Sequence, residues 1–197
     1  MKFFFLLNLL LYLTCNAIYS QDSSDIIFIE KQLRSIQPES ILFYSDKPMQ
    51  DIYLQFKKSV RKKVVNHQND TLTISNKEIK QISNALKINM QTTYKDAIFN
   101  KSKRVPASEI VSVVESQNQN ILDSLAHLDR SKMPKKQILH WAFSFSRPIY
   151  FRDKKWMLFY LLYYENSSGQ HGLYLYKWTN NDWEYWGILQ SGAWYFF

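Results

Sequence analysis

The chain has 197 residues, 46% hydrophobic and 16% aromatic, with four Gly and five Pro. That is enough apolar material for one sizeable core, and it excludes a disordered, collagenous or disulfide-built chain. Lys and Arg number 25 against 17 acids, a formal charge of +8.

The first twenty residues read as a secretory signal peptide. Lys2 is followed by an apolar run from Phe3 to Leu13, then by a small and polar stretch ahead of Asp22 and Ser23. The run is too short for a bilayer span, which needs about 20 residues. Cleavage fits after Ala17 or, in better agreement with a polar mature N-terminus, after Ser20. The mature chain is then expected to be 21–197, periplasmic or extracellular. Acylation of Cys15, as in a lipoprotein, is the weaker competitor, because Tyr12, Leu13 and Thr14 fit the small-residue consensus poorly. No transmembrane span is expected in the mature chain. Cys15 is the only cysteine, so cysteine nucleophiles, cysteine metal sites and disulfides are excluded from the mature chain.

Helical periodicity dominates 21–130. Ile26, Ile29, Leu33 and Ile36 share one face of a helix over Ser24–Ile36, supported by Glu30 and Arg34 at i,i+4 and ended by Pro38. Ser40–Ser45 fits a short strand. A helix opening at Pro48 carries Ile52, Phe56, Val60 and Val64 at four-residue spacing. Ser75 with Glu78 three residues on is a capping box, announcing a helix whose apolar face is Ile79, Ile82 and Leu86. The longest helix, Pro106–Leu128, shows the stripe Ile110, Val113, Val114, Gln117, Ile121, Leu125 and Leu128.

From residue 139 the pattern changes to strands. Of the 57 residues from Trp141 on, 20 are aromatic, against 12 of the 140 before it, so the core-forming aromatics are concentrated here. Leu139–Ser146 alternates, Arg147–Pro148 implies a bend or an edge, Arg152–Lys155 is a charged turn, and Trp156–Tyr164 is strongly apolar. Asn166–Gly172 reads as an exposed recognition loop, Gly172–Trp178 alternates again, and Thr179–Asp182 is a turn before the last strand. The expected fold is α+β: N-terminal helices packed on a C-terminal antiparallel meander of four to five strands, in a single domain.

The segments Leu72–Ile82, Phe143–Tyr164 and Gly172–Trp186 resemble a family of secreted bacterial proteins of unassigned function. In that family a helical N-terminal part leads to an FSxPIF strand and to a meander closed by an LYxK…W hairpin. Its members often carry a Cys-Gly, Gly-rich segment where this chain has Glu165–Gly172 without cysteine. The resemblance implies export and fold, and no activity.

Three groups of residues could carry chemistry. The run Lys57, Lys58, Arg61, Lys62 and Lys63 lies within Lys47–Arg104, which holds 13 basic residues against 4 acids and could meet an anionic partner or be a solvated face. Nucleic acid is disfavoured, since no aromatics interleave with these lysines. Arg152, Trp178, Trp183 and Trp186 are candidates for ligand binding, because Trp and Tyr on a sheet surface can stack on sugar rings, although cross-strand and core packing uses the same residues. Glu165, His171 and Asp153 form the catalytic candidate, a carboxylate and a base near one sheet edge. No metal-ligand spacing, GxSxG, phosphate loop or dinucleotide motif occurs, so no metal and no cofactor is expected. Together these features point first to a non-enzymatic binding or envelope-associated protein with a protein or glycan partner. The alternatives are a cell-envelope hydrolase using Glu165 with His171 or Asp153, and a carbohydrate-binding module using exposed Trp and Tyr.

Overall fold

The computed structural model describes residues 23–48, 56, 62–127, 139–165 and 168–195. The expected signal segment 1–20 with Cys15, and Lys57, Lys58 and Arg61 of the basic run, lie outside the described residues. Within them the fold is α+β. Three helices, α1 (Ser23–Ile36), α2 (Asn76–Asn89) and α3 (Ile110–Ala126), accompany a seven-stranded sheet and a two-stranded one. The strands are β1 (Leu42–Ser45), β2 (Lys63–Val65), β3 (Thr71–Thr73), β4 (Ser102–Val105), β5 (Ala142–Phe145), β6 (Ile149–Phe151), β7 (Trp156–Glu165), β8 (Ser168–Thr179) and β9 (Asp182–Tyr195).

The antiparallel strands β5 to β9 are only part of the large sheet. β1 runs parallel to β5 and β4 parallel to β1, giving the order β4-β1-β5-β7-β8-β9 with β6 also on β7. The sheet is therefore mixed, and the half that reads as helical supplies two of its strands. β4 escapes sequence detection because its four residues, Ser-Lys-Arg-Val, bury only Val105 and owe their strand form to pairing with β1. Lys63 and Val64, expected on a helix, lie instead on β2, paired with β3. The β-branched Val64 and Val65 favour that extended form.

β7 is central and packs on both faces. Leu158, Tyr160 and Leu162 join a core with Ile82 and Leu86 of α2 and Ile110 and Val114 of α3. Met157, Phe159 and Leu161 join a second core with Phe28, Ile29 and Leu33 of α1. Burial on both sides explains why this segment has no polar alternation. Phe28 meets Phe159 at 5.3 Å and Tyr176 at 5.0 Å, both edge-on, the geometry that ring quadrupoles favour.

Pro148 cannot donate to a ladder, and at this point the strand is interrupted. β5 pairs with the distal half of β7 and β6 with its first three residues. Ser146 bridges the gap: its N–H donates to the Tyr160 carbonyl at 3.0 Å and its hydroxyl accepts from the Tyr160 N–H at 3.1 Å. Two buried amides pin the chain where it enters β5. Gln37 donates to the Leu139 carbonyl at 2.8 Å, and Asn118 donates to the His140 carbonyl at 2.9 Å.

β9 carries two register shifts against β8, at Leu189 and at Trp186. Simple alternation would put Trp186 and Ile188 on one face. The bulges instead send Trp186 and Leu189 into the α2 face, leaving Tyr185 and Ile188 exposed.

Candidate functional site

The clearest concave surface lies where β7 begins, and two turns build it. Thr179 pairs with Asp182, so Asn180 and Asn181 form a two-residue loop with φ of 51° and 62°. Both angles suit Asn, and such a loop matches the twist of a hairpin. The register it sets makes Trp178 and Trp183 direct cross-strand partners, with ring centroids 5.1 Å apart. Lys31 of α1 reaches Asp182 at 2.5 Å and ties the hairpin to the helix.

The second turn is Arg152–Lys155, closed by the Lys155 N–H on the Arg152 carbonyl at 3.0 Å. Arg152, Asp153 and Lys154 all have positive φ, 51°, 54° and 59°. Left-handed backbone costs a non-glycine residue roughly 1–2 kcal/mol, so three in succession require support. Arg152 supplies it. Its Nε donates to Glu78 Oε1 at 2.6 Å and its Nη2 to Glu78 Oε2 at 3.2 Å, while Nη2 also donates to the Thr73 carbonyl at 2.5 Å. Glu78 is in turn fixed by the predicted capping box, accepting from the Ser75 N–H at 2.7 Å. The Arg152 guanidinium, helped by the Ser75 N–H and against the effect of burial, holds the Glu78 carboxyl down to about 2.

These turns frame two grooves around β6. One, of about 500 Å³, lies beside Tyr150, Trp178, Trp183, Ser24 and the turn residues Asp153 to Lys155. Tyr150 packs on Trp183 at 5.5 Å, so Tyr150, Trp183 and Trp178 form one contiguous row of rings. The Tyr150 hydroxyl donates to Asp25 Oδ1 at 2.5 Å, which fixes the ring against α1. Trp178 is 44% exposed, high for a ring of its size, and its backbone N–H donates to the Lys155 carbonyl at 3.0 Å. The second groove, of about 700 Å³, lies between α2 and β6, with Lys77, Gln81 and Phe151 in its wall. The two meet at Tyr150, Asp153 and Lys154.

The sequence candidates divide between the two ends of the sheet. Arg152, Asp153, Trp178 and Trp183 come together here. Trp186 does not: it is buried on the opposite face, edge-on to Trp156 at 5.2 Å. Glu165 pairs with Ser168 at the other end of β7, nine residues from Trp156, or roughly 30 Å at the usual strand rise. Asp153 and Glu165 are thus separated by the length of the strand. His171 faces Leu162 in register and is 8% exposed, with its ring 6.4 Å from Tyr160. Burial pushes its imidazole below the ordinary 6.5. The expected loop Asn166–Gly172 is strand from Ser168 onward, since β8 pairs there with both β7 and β9. Of the basic run, Lys62 and Lys63 are exposed at the start of the small hairpin and line neither groove, although Lys63 pairs with Thr73, whose carbonyl holds Arg152. Among the described residues no group of three His, Cys, Asp or Glu could hold a metal ion, and no helix is long and apolar enough to cross a membrane.

Tyr150, Ser24, Lys77, Lys154 and Lys155 are site residues that sequence reasoning did not single out. The charged turn and the capping box were legible separately; the contact joining them spans 74 positions and leaves no local trace. No family model, curated protein or solved structure matches the chain.

Proposed function

We propose that the protein is an exported, non-catalytic binding protein that takes a saccharide in the groove beside Tyr150, Trp183 and Trp178. The observation that carries this reading is the contiguous row of three rings with Trp178 44% exposed along a groove of about 500 Å³. A pyranose offers an apolar C–H face and a rim of hydroxyls. Aromatic rings suit the first, and the groove's Ser24, Asp153 and lysines suit the second. Two of the rings have partners before any ligand arrives, the Tyr150 hydroxyl on Asp25 and the Trp178 ring against Trp183, which limits the ordering that opposes binding.

Binding without turnover is favoured by the same lining. Asp153 is the one carboxylate lining this groove, and the neighbouring Asp25 is engaged by the Tyr150 hydroxyl, whereas glycoside hydrolysis ordinarily uses two facing carboxyl groups. Export is supported by the Lys2–Leu13 leader pattern and by the resemblance of Phe143–Tyr164 and Gly172–Trp186 to secreted bacterial proteins. Outside the cytoplasm, saccharide polymers are accessible partners.

The test is a tryptophan-fluorescence titration of the purified protein against a panel of neutral and acidic polysaccharides. At least one is expected to shift the emission saturably, and Trp178→Ala to weaken that binding about tenfold or more, equivalent to some 1.4 kcal/mol. A flat response across the panel, or binding unchanged in Trp178→Ala, overturns the reading.

A further inference from the structure

We propose that the ligand is a uronate-bearing polysaccharide, laid over the β6–β7 turn through both grooves, its carboxylates met by Lys77, Lys154 and Lys155. This rests on the saccharide reading above and deepens it.

Three observations carry the inference. The first is charge. Lys154 and Lys155 line the smaller groove, Lys77 and Lys154 the larger, and all three are exposed. None of them makes an ion pair among the described residues. The other charges at this surface are Asp153, without an ion pair among the described residues, Asp25, which accepts from the Tyr150 hydroxyl, and the Arg152–Glu78 pair, which is neutral as a unit. The surface therefore presents three unpaired lysines against two carboxylates, Asp153 and the Tyr150-bound Asp25, a positive balance that disfavours cationic ligands and leaves neutral ones without a charge partner.

The second is extent. The two grooves share Tyr150, Asp153 and Lys154, so one chain molecule can occupy both. About 500 Å³ on one side and 700 Å³ on the other exceed what a single sugar needs and suit a run of them. β6 lies between the grooves, and its half-buried middle residue Tyr150 lines both of them.

The third is chemical fit. A uronate places its charge at the ring edge and keeps the C–H face free for Trp178 and Trp183. Lysine suits that task, being a mobile point charge that can follow a carboxylate whose position varies along a polymer. The strained turn keeps two lysines beside the rings, since Arg152 is held by Glu78 and cannot fold back over them.

The experiment compares polygalacturonate, dextran and dextran sulfate as probes, by titration calorimetry on the purified protein at low and high salt. Polygalacturonate is expected to bind at least about tenfold more tightly than dextran, with the margin shrinking as salt rises. The double variant Lys154→Gln/Lys155→Gln should lose that margin while retaining dextran-level binding. Lys77→Gln should weaken long polygalacturonate more than a short oligomer, because the short one occupies only the ring groove. Equal affinity for polygalacturonate and dextran overturns the uronate inference and leaves the saccharide reading standing. Binding of dextran sulfate alone, insensitive to Trp178→Ala, shows an unspecific polyanion surface and overturns both. Absence of binding to all three overturns the inference together with its basis.

Discussion

The two ends of β7 differ in kind, although both carry polar residues that look chemical in the sequence. At its start, a turn from β6 and a hairpin from β8 and β9 converge on one surface. There three rings form a row, Trp178 is partly open, and three consecutive residues are held in left-handed backbone beside an ion pair to another element. At its far end Glu165 meets Ser168, and His171 is enclosed beside Tyr160. The first end assembles groups from α1, α2, β6, β8 and β9. The second holds its His inside the sheet, where burial disfavours the charged imidazole. Neighbourhood in sequence therefore says little about a site; convergence of elements that are themselves fixed says more.

Substitutions can break this contrast, and the largest effect is expected at Trp183. Its ring joins Tyr150 to Trp178, so Trp183→Ala should interrupt the row and weaken saccharide binding more than tenfold, the loss of an aromatic anchor at an interface. Glu165→Gln and His171→Leu, at the other end, should leave the affinity within twofold. Calorimetric titration of the three variants decides it. A loss at His171→Leu as large as that at Trp183→Ala would erase the distinction between the ends.

Next in size is the clamp under the turn. Glu78→Gln preserves a capping side chain at its helix position but removes the charge that Arg152 grips. Stability should fall by about 1–3 kcal/mol at neutral pH, the usual range for a hydrogen bond to a charged group. The sign with pH follows from the direction of the shift. The carboxyl, ordinarily at 4.5, sits at about 2 in the fold, so its contribution is complete above 4.5 and disappears as pH falls toward 2. Urea unfolding of both proteins at pH 7, 4 and 2 should show the gap closing. A gap that persists unchanged at pH 2 would assign the loss to something other than the ion pair.

Much of the fold could be read from residue order, for identifiable reasons. The capping box at Ser75 and Glu78, the Asn180–Asn181 turn and the bend at Pro148 are local devices, and each is where its chemistry demands. What escaped is non-local. β1 falls inside the expected strand Ser40–Ser45, but β4 becomes a strand only through parallel pairing with β1 some sixty residues away, which no local period announces. The bulges at Trp186 and Leu189 shift the alternation of β9 and exchange the places of Leu189 and Ile188. Of the site, the aromatic candidates Trp178 and Trp183 and the turn residues Arg152 and Asp153 were legible as residue types. Trp186 was indistinguishable from them, because its burial depends on a bulge. Tyr150 was invisible, because its role comes from α1 and from Trp183.

The smallest effect is the most informative about the turn itself. Lys154 has φ of 59°, and glycine adopts that angle without the Cβ penalty. Lys154→Gly removes roughly 1–2 kcal/mol of backbone strain and adds roughly 0.5–1 kcal/mol of unfolded-state entropy, so a net gain of about 0.5–1 kcal/mol in stability is expected. It also removes a cation that lies 6.0 Å from the Tyr150 ring, as Lys154→Gln does without altering the backbone. The two variants separate charge from rigidity. If the turn serves by holding its neighbours still, Lys154→Gly binds polygalacturonate more weakly than Lys154→Gln while unfolding at higher urea. That would be a stability gained at the cost of function. Equal affinities in the two would reduce the strained turn to a tolerated detail of the hairpin, and leave the site's order to the Glu78 clamp and the Trp178–Trp183 pair.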